Sequence, residues 1–146
     1  MMKARNIIPL LAFGLMATLW GCDIETSDNG DFDGMWHLET VDTLGHGSLD
    51  CKSKHLYWSF QMRFMQTNNT ETAEMFIYRF NHSDDSLVIT EPRVNDRDLG
   101  DTLVTDISPL AKYGINSTRE SFYIERLKGR DMVLSNKWLR LVFRKF

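Results

Sequence analysis

Apolar and polar residues alternate along this chain from Gly34 onward, with the period of two that is typical of β-strands. The clearest alternation covers residues 56–64, for which we predict a single strand. The apolar face of that strand consists of Leu56, Trp58, Phe60, Met62 and Phe64. The other face carries Ser59, Gln61 and Arg63, so we expect one buried side and one solvent-exposed side.

Further short segments of the same kind predict the remaining strands. They are residues 34–42, 75–80, 87–89, 102–104, 121–127, 132–134 and 137–146. Ser108 as N-cap, Pro109 at the first position and Gly114 as the stop predict one short helical turn over residues 108–113. Seven or eight strands in roughly 110 residues predict an all-β fold, either a closed antiparallel barrel or a two-layer sandwich.

The first residues of the chain have the pattern of an export signal. Lys3 and Arg5 precede a mostly apolar run over residues 7–20, which is shorter than the ~20 apolar residues of a spanning helix. The run ends in Leu19-Trp20-Gly21-Cys22, and the residues after Cys22 are polar. Cleavage of an ordinary secretory signal is the alternative, but it requires small residues at the first and third positions before the cut.

The segment from Leu19 to Cys22 resembles the lipobox of bacterial lipoproteins. The resemblance implies that residues 1–21 are removed, that the thiol of Cys22 is joined to diacylglycerol, and that the new amine is acylated, for example with palmitate. Several acyl chains hold a protein firmly on a membrane. We therefore expect a lipid-anchored protein of the bacterial cell envelope, with the outer membrane as the expected location and its periplasmic or surface face left open.

Residues 22–33 are predicted to form a flexible acidic tether, and residues 34–146 the folded domain. The acidic residues of the tether are Asp23, Glu25, Asp28, Asp31 and Asp33. An acidic patch after the acylated Cys22 resembles the signals that send lipoproteins of the Bacteroidetes to the cell surface. A generic linker remains the alternative.

The segment Asp33-Gly34-Met35-Trp36, which opens the first predicted strand, is similar to the G-x-W signature of lipocalins. Residues 139–146 and Tyr113-Gly114-Ile115 further resemble the small lipocalin-like lipoproteins of the Bacteroidetes. This resemblance favours the barrel over the sandwich, and it implies an up-and-down barrel of about eight antiparallel strands. It also implies that Trp36 closes one end, with a basic residue of the last strand across its ring.

The identity of that basic residue can be approached from geometry. The first and last strands of a closed antiparallel meander lie side by side, so Trp36 is expected near Arg144 or Lys145. Alternation favours Lys145, whereas stacking chemistry favours Arg144, which needs a bulge to turn inward. Both residues therefore remain candidates for closing the barrel.

Composition and charge narrow the classes of partner. Hydrophobic residues make up 42% and charged residues 25%, which are ordinary values for a folded domain. The 20 acidic residues outnumber the 17 Lys and Arg, and the net charge is -3, so nucleic acid is not expected as a partner. Because Cys22 is assigned to lipid, Cys51 has no second cysteine with which to form an internal disulfide.

Motifs for catalysis or for cofactors do not stand out. His37, His46, His55 and His82 lie on different predicted elements and lack the spacing of a zinc site. Residues 96–101 have the wrong pattern for a calcium loop, and no nucleophile or phosphate-loop motif is present. We therefore predict no metal, no cofactor, no catalytic residue and no enzymatic activity.

The aromatic residues on the predicted strands carry the functional interpretation. The candidates for lining a ligand site are Trp58, Phe60, Phe64, Phe76, Tyr78 and Trp138. If the barrel is open, these side chains suit a small apolar or amphipathic ligand. If they fill the barrel, the alternative is a non-binding barrel that docks an envelope protein in an outer-membrane complex.

Overall fold

The computed structural model of this chain describes residues 27–98 and 100–146. The predicted leader, Cys22 and the first residues of the predicted tether lie outside the described residues. Every strand of the closed barrel, and both barrel ends, lie within the described residues. No helix within the described residues is long and apolar enough to cross a membrane.

Within the described residues the chain forms ten strands and two short 3-10 turns. The strands are β1 Gly34–Thr43, β2 Gly47–Asp50, β3 Leu56–Gln61, β4 Phe64–Asn69, β5 Glu74–His82, β6 Ser86–Val94, β7 Thr102–Leu103, β8 Arg119–Lys128, β9 Asp131–Ser135 and β10 Leu139–Lys145. The two turns are Gly30–Phe32 and Ser108–Tyr113. The second of them is the helical turn that the sequence predicts, but its N-cap is Ile107, and Ser108 is its first residue.

Eight of the described strands close an antiparallel barrel. The order is β10-β9-β8-β6-β5-β4-β3-β1, and pairing of β1 with β10 closes the circle. β2 extends the sheet beside the second half of β1, and β7 pairs with the end of β6. The predicted all-β barrel is confirmed, and the sandwich is wrong because β1 and β10 are hydrogen-bonded neighbours.

The prediction of one strand over residues 56–64 is wrong. The chain reverses at Met62 and Arg63, so Gln61 of β3 pairs with Phe64 of β4. Met62 and Phe64 are 37% and 49% exposed, rather than continuing the apolar face. The turn contains no Gly, Pro, Asn or Asp, and the sequence therefore gives no turn signal at that point.

The end of the barrel at which β1 begins, called here the closed end, is covered by the Gly30–Phe32 turn. Phe32 is buried with its ring 5.0 Å from that of Phe60, and the indole N–H of Trp36 donates to the Phe32 carbonyl at 2.9 Å. The side-chain amide of Asn29 donates to the Met62 carbonyl at 2.8 Å. The last residues of the predicted tether are therefore part of the folded domain, which begins before Gly34.

The opposite end, where β1 ends and β10 begins, is called here the mouth. The Ser108–Tyr113 turn enters the mouth and buries Leu110 and Tyr113. The indole N–H of Trp58 donates to the Tyr113 carbonyl at 3.1 Å, which ties the turn to the barrel wall. Gly114 follows with φ +84°, and a Cβ there would lie 2.7 Å from a methyl of Leu141, so the site demands glycine.

Candidate functional site

Lys145, not Arg144, lies across the Trp36 ring at the closed end. Its Nζ is 5.1 Å from the ring centre, and the two residues are register partners between β10 and β1. Arg144 is exposed, with Nη1 3.9 Å from a carboxylate oxygen of Asp131. The β1–β10 register is irregular between Leu38 and Thr40, not near Lys145. Strand alternation alone therefore places the Lys145 side chain on the Trp36 side of β10 and that of Arg144 on the other side.

Four of the predicted lining residues point into the barrel and are buried there. They are Trp58, Phe60, Phe76 and Tyr78. Their rings pack on other rings: Trp58 lies 4.8 Å from Phe143, and Phe60 lies 5.1 Å from Phe80, centre to centre. These side chains form the core of the barrel and fill its interior.

A polar pair is enclosed in this aromatic core. The hydroxyls of Thr67 and Tyr78 are 2.9 Å apart and both side chains are buried. Burial raises the pKa of Tyr78 well above its usual range. The pair therefore remains neutral and satisfies its own hydrogen bonds inside the barrel.

Two predicted lining residues, Phe64 and Trp138, lie outside the interior. Phe64 begins β4 after the turn and faces solvent. Trp138 is 65% exposed in the β9–β10 turn, where the side-chain oxygen of Asn136 accepts from the backbone N–H groups of Trp138 and Leu139. Turn geometry therefore overrides the strand alternation from which both positions were predicted.

A cavity of about 590 Å³ opens at the mouth. It is lined by Val41, Thr43, Leu49, Ala111, Asn116, Glu120, Asn136, Trp138 and Leu139. Its walls come from the β1–β2 hairpin, the Ser108–Tyr113 turn, the start of β8 and the β9–β10 turn. A hydrogen bond of 3.0 Å from the Leu44 N–H to the Trp138 carbonyl joins two of these walls.

Glu120 is the ionisable group in the wall of this mouth cavity. Its carboxylate accepts from the Asn116 backbone N–H at 3.0 Å and from the Asn136 side-chain amide at 3.4 Å. Burial raises the pKa of Glu120 above its usual value, and the hydrogen bond from Asn116 opposes that shift. A carboxylate has about four acceptor positions, so Glu120 keeps acceptor capacity toward the cavity.

A second, wider depression lies on the outer face of β3, β4 and β5 and is called here the outer groove. Its volume is about 1270 Å³. Its walls include Ser27 and Asn29, the turn residues Met62 and Arg63, and Phe64. The outer groove therefore adjoins the point at which the chain enters the barrel.

No residue set suited to a metal was found among the described side chains: no three or more His, Cys, Asp or Glu lie together. Cys51 is buried, with Sγ 3.8 Å from the Leu49 carbonyl. Burial raises the pKa of the Cys51 thiol. The mouth cavity, with its mostly apolar lining and the carboxylate of Glu120, is therefore the candidate site.

The closed eight-stranded barrel, with Trp36 and Lys145 at its closed end, defines a lipocalin-like β-barrel protein. Residues 15–146 match the model of the lipocalin-like domain family, and the chain belongs to that family. No curated protein matches the chain.

Two solved structures share the fold. A lipocalin-like protein from Bacteroides uniformis superimposes with a TM-score of 0.61 at 18% identity, covering 80% of this chain and 100% of the other. An uncharacterized protein from Bacteroides eggerthii gives a TM-score of 0.53 at 20% identity, covering 79% of this chain and 99% of the other. The likeness confirms the barrel fold.

Proposed function

We propose that this protein is a lipid-anchored, lipocalin-like binding protein of the bacterial envelope, which holds a small amphipathic molecule in its mouth cavity. The observation that carries the proposal is a cavity of about 590 Å³ with a mostly apolar lining, in which the half-buried carboxylate of Glu120 is the ionisable group beside Thr43, Asn116 and Asn136. Cavities of roughly 300–1,000 Å³ with apolar walls and few polar groups are typical of small-molecule sites. The proposed function is binding, not catalysis.

The lining predicts the chemistry of the ligand. Leu49 and Trp138 offer exposed apolar surface for a hydrocarbon or ring-bearing body. Glu120 offers acceptor oxygens, so the polar group of the ligand is a hydrogen-bond donor, with an amine as the strongest case. The ligand lies at the mouth because rings fill the interior below it.

The membrane anchor rests on the lipobox resemblance at Cys22. Chain purified from membranes of its own host should have lost residues 1–21 and gained the mass of the acyl groups. Cys22→Ala should abolish both changes, whereas Cys51→Ala, which alters the buried thiol, should retain them. An unchanged mass for the native chain contradicts the anchor.

The filled interior favours a second candidate, in which the barrel docks an envelope protein. Its surface would be the exposed apolar side chains Leu44, Leu49 and Trp138 at the mouth. Both candidates use the same end of the barrel, but they differ in the size of the occupant. A partner protein covers Leu44, which lies outside the mouth cavity, whereas a small ligand leaves Leu44 exposed.

Trp fluorescence separates these candidates. We expect lipid and small-molecule extracts of the host envelope to change the emission of Trp138. The change should disappear in Trp138→Phe and persist in Trp58→Phe, because Trp58 is buried below the cavity. A response only to the protein fraction of the envelope supports docking, and no response to any fraction contradicts both candidates.

A further inference from the structure

We infer that the tip of the β3–β4 hairpin is a second membrane contact, which inserts Met62 and Phe64 into the headgroup layer of the bilayer that holds the anchor. This inference rests on the anchoring part of the proposed function. The surface consists of Met62, Arg63 and Phe64 and is called the hairpin tip. It faces the outer groove at the closed end of the barrel.

The first argument is the turn itself. Met62 has φ +55° at the first central position of a two-residue hairpin turn, where glycine is the favoured residue. Left-handed backbone is unfavourable for a side chain such as that of Met62. The chain therefore places a large apolar group at an exposed tip against local conformational preference.

The second argument is the chemistry of the tip. Met62 and Phe64 expose apolar surface on either side of Arg63, which is itself exposed. Arg79 lies with its guanidinium carbon 5.8 Å from the centre of the Phe64 ring and also pairs with Glu91 at 2.9 Å. Long basic side chains beside apolar ones suit the membrane interface, because the stems lie in the apolar layer while the charges reach the headgroups.

The third argument is the reach of the anchor. Asn29 is held at the hairpin tip by its hydrogen bond to the Met62 carbonyl. Cys22 is seven residues before Asn29, so even a fully extended chain spans no more than about 25 Å between them. The acyl chains on Cys22 therefore keep the hairpin tip near the bilayer, whereas the mouth lies at the opposite end of the barrel.

Charge does not dominate this surface. Asp28 and Asp101 line the outer groove together with Arg63 and Arg79, and their negative charges offset the positive charge of the two arginines. We therefore expect the contact to form on phosphatidylcholine without anionic lipid and to withstand added salt, as apolar insertion does.

The test uses residues 27–146 with a hexahistidine segment in place of the preceding chain, held on phosphatidylcholine vesicles by nickel-chelating lipid. An environment-sensitive fluorophore is placed at Met62→Cys, or at Arg63→Cys as a second tip site, in a Cys51→Ala background. The matched control is Leu44→Cys, which is similarly exposed at the mouth. Circular dichroism confirms that each variant keeps its strands.

We expect quenchers carried by the lipid headgroup region to quench the tip fluorophore and not the mouth fluorophore. Adding Phe64→Ser should lower the ratio of inserted to free tip about tenfold, whereas Leu44→Ser should leave it unchanged. Equal quenching at both ends, or none at the tip, overturns the inference. A tip fluorophore whose emission is already shifted before lipid is added indicates that the tip packs against the protein itself, in the outer groove, and overturns the inference as well. Because nickel replaces the acyl anchor, failure of acylation at Cys22 does not affect this result.

Discussion

The Nζ atom of Lys145 lies 5.1 Å from the centre of the Trp36 ring, across the junction between the last and first strands of the barrel. The Lys145 stem also passes Gly34, where a Cβ would lie 3.0 Å from the Lys145 Cε. The last strand therefore packs on the G-x-W segment through both its charge and its stem. Four predictions test how this fold is held together and how its candidate site behaves.

Lys145→Met should lower the free energy of unfolding by about 0.5–1 kcal/mol, because it keeps a similar stem and removes the cation from the Trp36 ring. Lys137→Met is the matched control, since Lys137 lies 4.9 Å from the exposed ring of Trp138. Urea unfolding should separate the two variants. Equal loss in both would show that burial of the ring does not strengthen the contact.

Gly114→Ala should destabilise the barrel by roughly 2–5 kcal/mol. About 1–2 kcal/mol of this is the left-handed backbone, and about 1–3 kcal/mol is the collision of the new methyl with Leu141. Gly129 has φ +60° and open space where a Cβ would lie. Gly129→Ala should therefore cost only about 1–2 kcal/mol, from the left-handed backbone. Thermal unfolding of both variants measures the difference. Similar midpoints would contradict close packing of Gly114 against Leu141.

Thr67→Val should cost about 1–3 kcal/mol, because it leaves the buried Tyr78 hydroxyl without its partner. Tyr78→Phe removes the other half of the pair, and the double variant should be less destabilised than the sum of the two single variants. A double-mutant cycle by urea unfolding measures this coupling. Strictly additive losses would mean that the two hydroxyls do not interact.

Glu120→Gln should make the protein more stable relative to wild type as the pH rises. The pKa of Glu120 is raised in the folded state, so the folded protein favours the protonated form. The protonated Glu120 side chain therefore stabilises the fold fully below the pKa of Glu in the unfolded chain, which is about 4.3. This stabilisation is lost as the pH rises through the higher pKa of the folded state. The amide side chain of the variant cannot ionise and so avoids the loss.

Melting temperatures of wild type and the Glu120 variant at pH 4 and pH 7 measure this effect. The melting temperature of the variant minus that of wild type should be larger at pH 7 than at pH 4. Asp84→Asn, which removes one negative charge from the exposed β5–β6 turn, controls for net charge. A difference that is the same at both pH values would contradict burial of the Glu120 carboxyl. The same variant should bind an amine ligand at least about tenfold more weakly.

Strand alternation determined much of this fold by itself. Inward positions such as Trp58, Phe60 and Tyr78 are apolar at every second residue, and burial of one strand face follows from that period whatever the neighbours are. The same alternation favoured Lys145 over Arg144, because no bulge intervenes between Phe143 and the end of β10. The Ser108–Tyr113 turn was predictable because its Pro and Gly act locally.

The tertiary structure decided the features that depend on distant segments or on turns without a signal. Reversal at Met62 and Arg63 moved Phe64 from the predicted interior to the surface, and β2 was missed because all four of its residues are exposed. Glu120 gave no signal in the sequence, because the mouth cavity joins segments that lie far apart along the chain. Alternation is set by neighbouring residues, whereas a cavity exists only where remote elements meet and leave space. For that reason most of the strands could be predicted from alternation, whereas the candidate site could not.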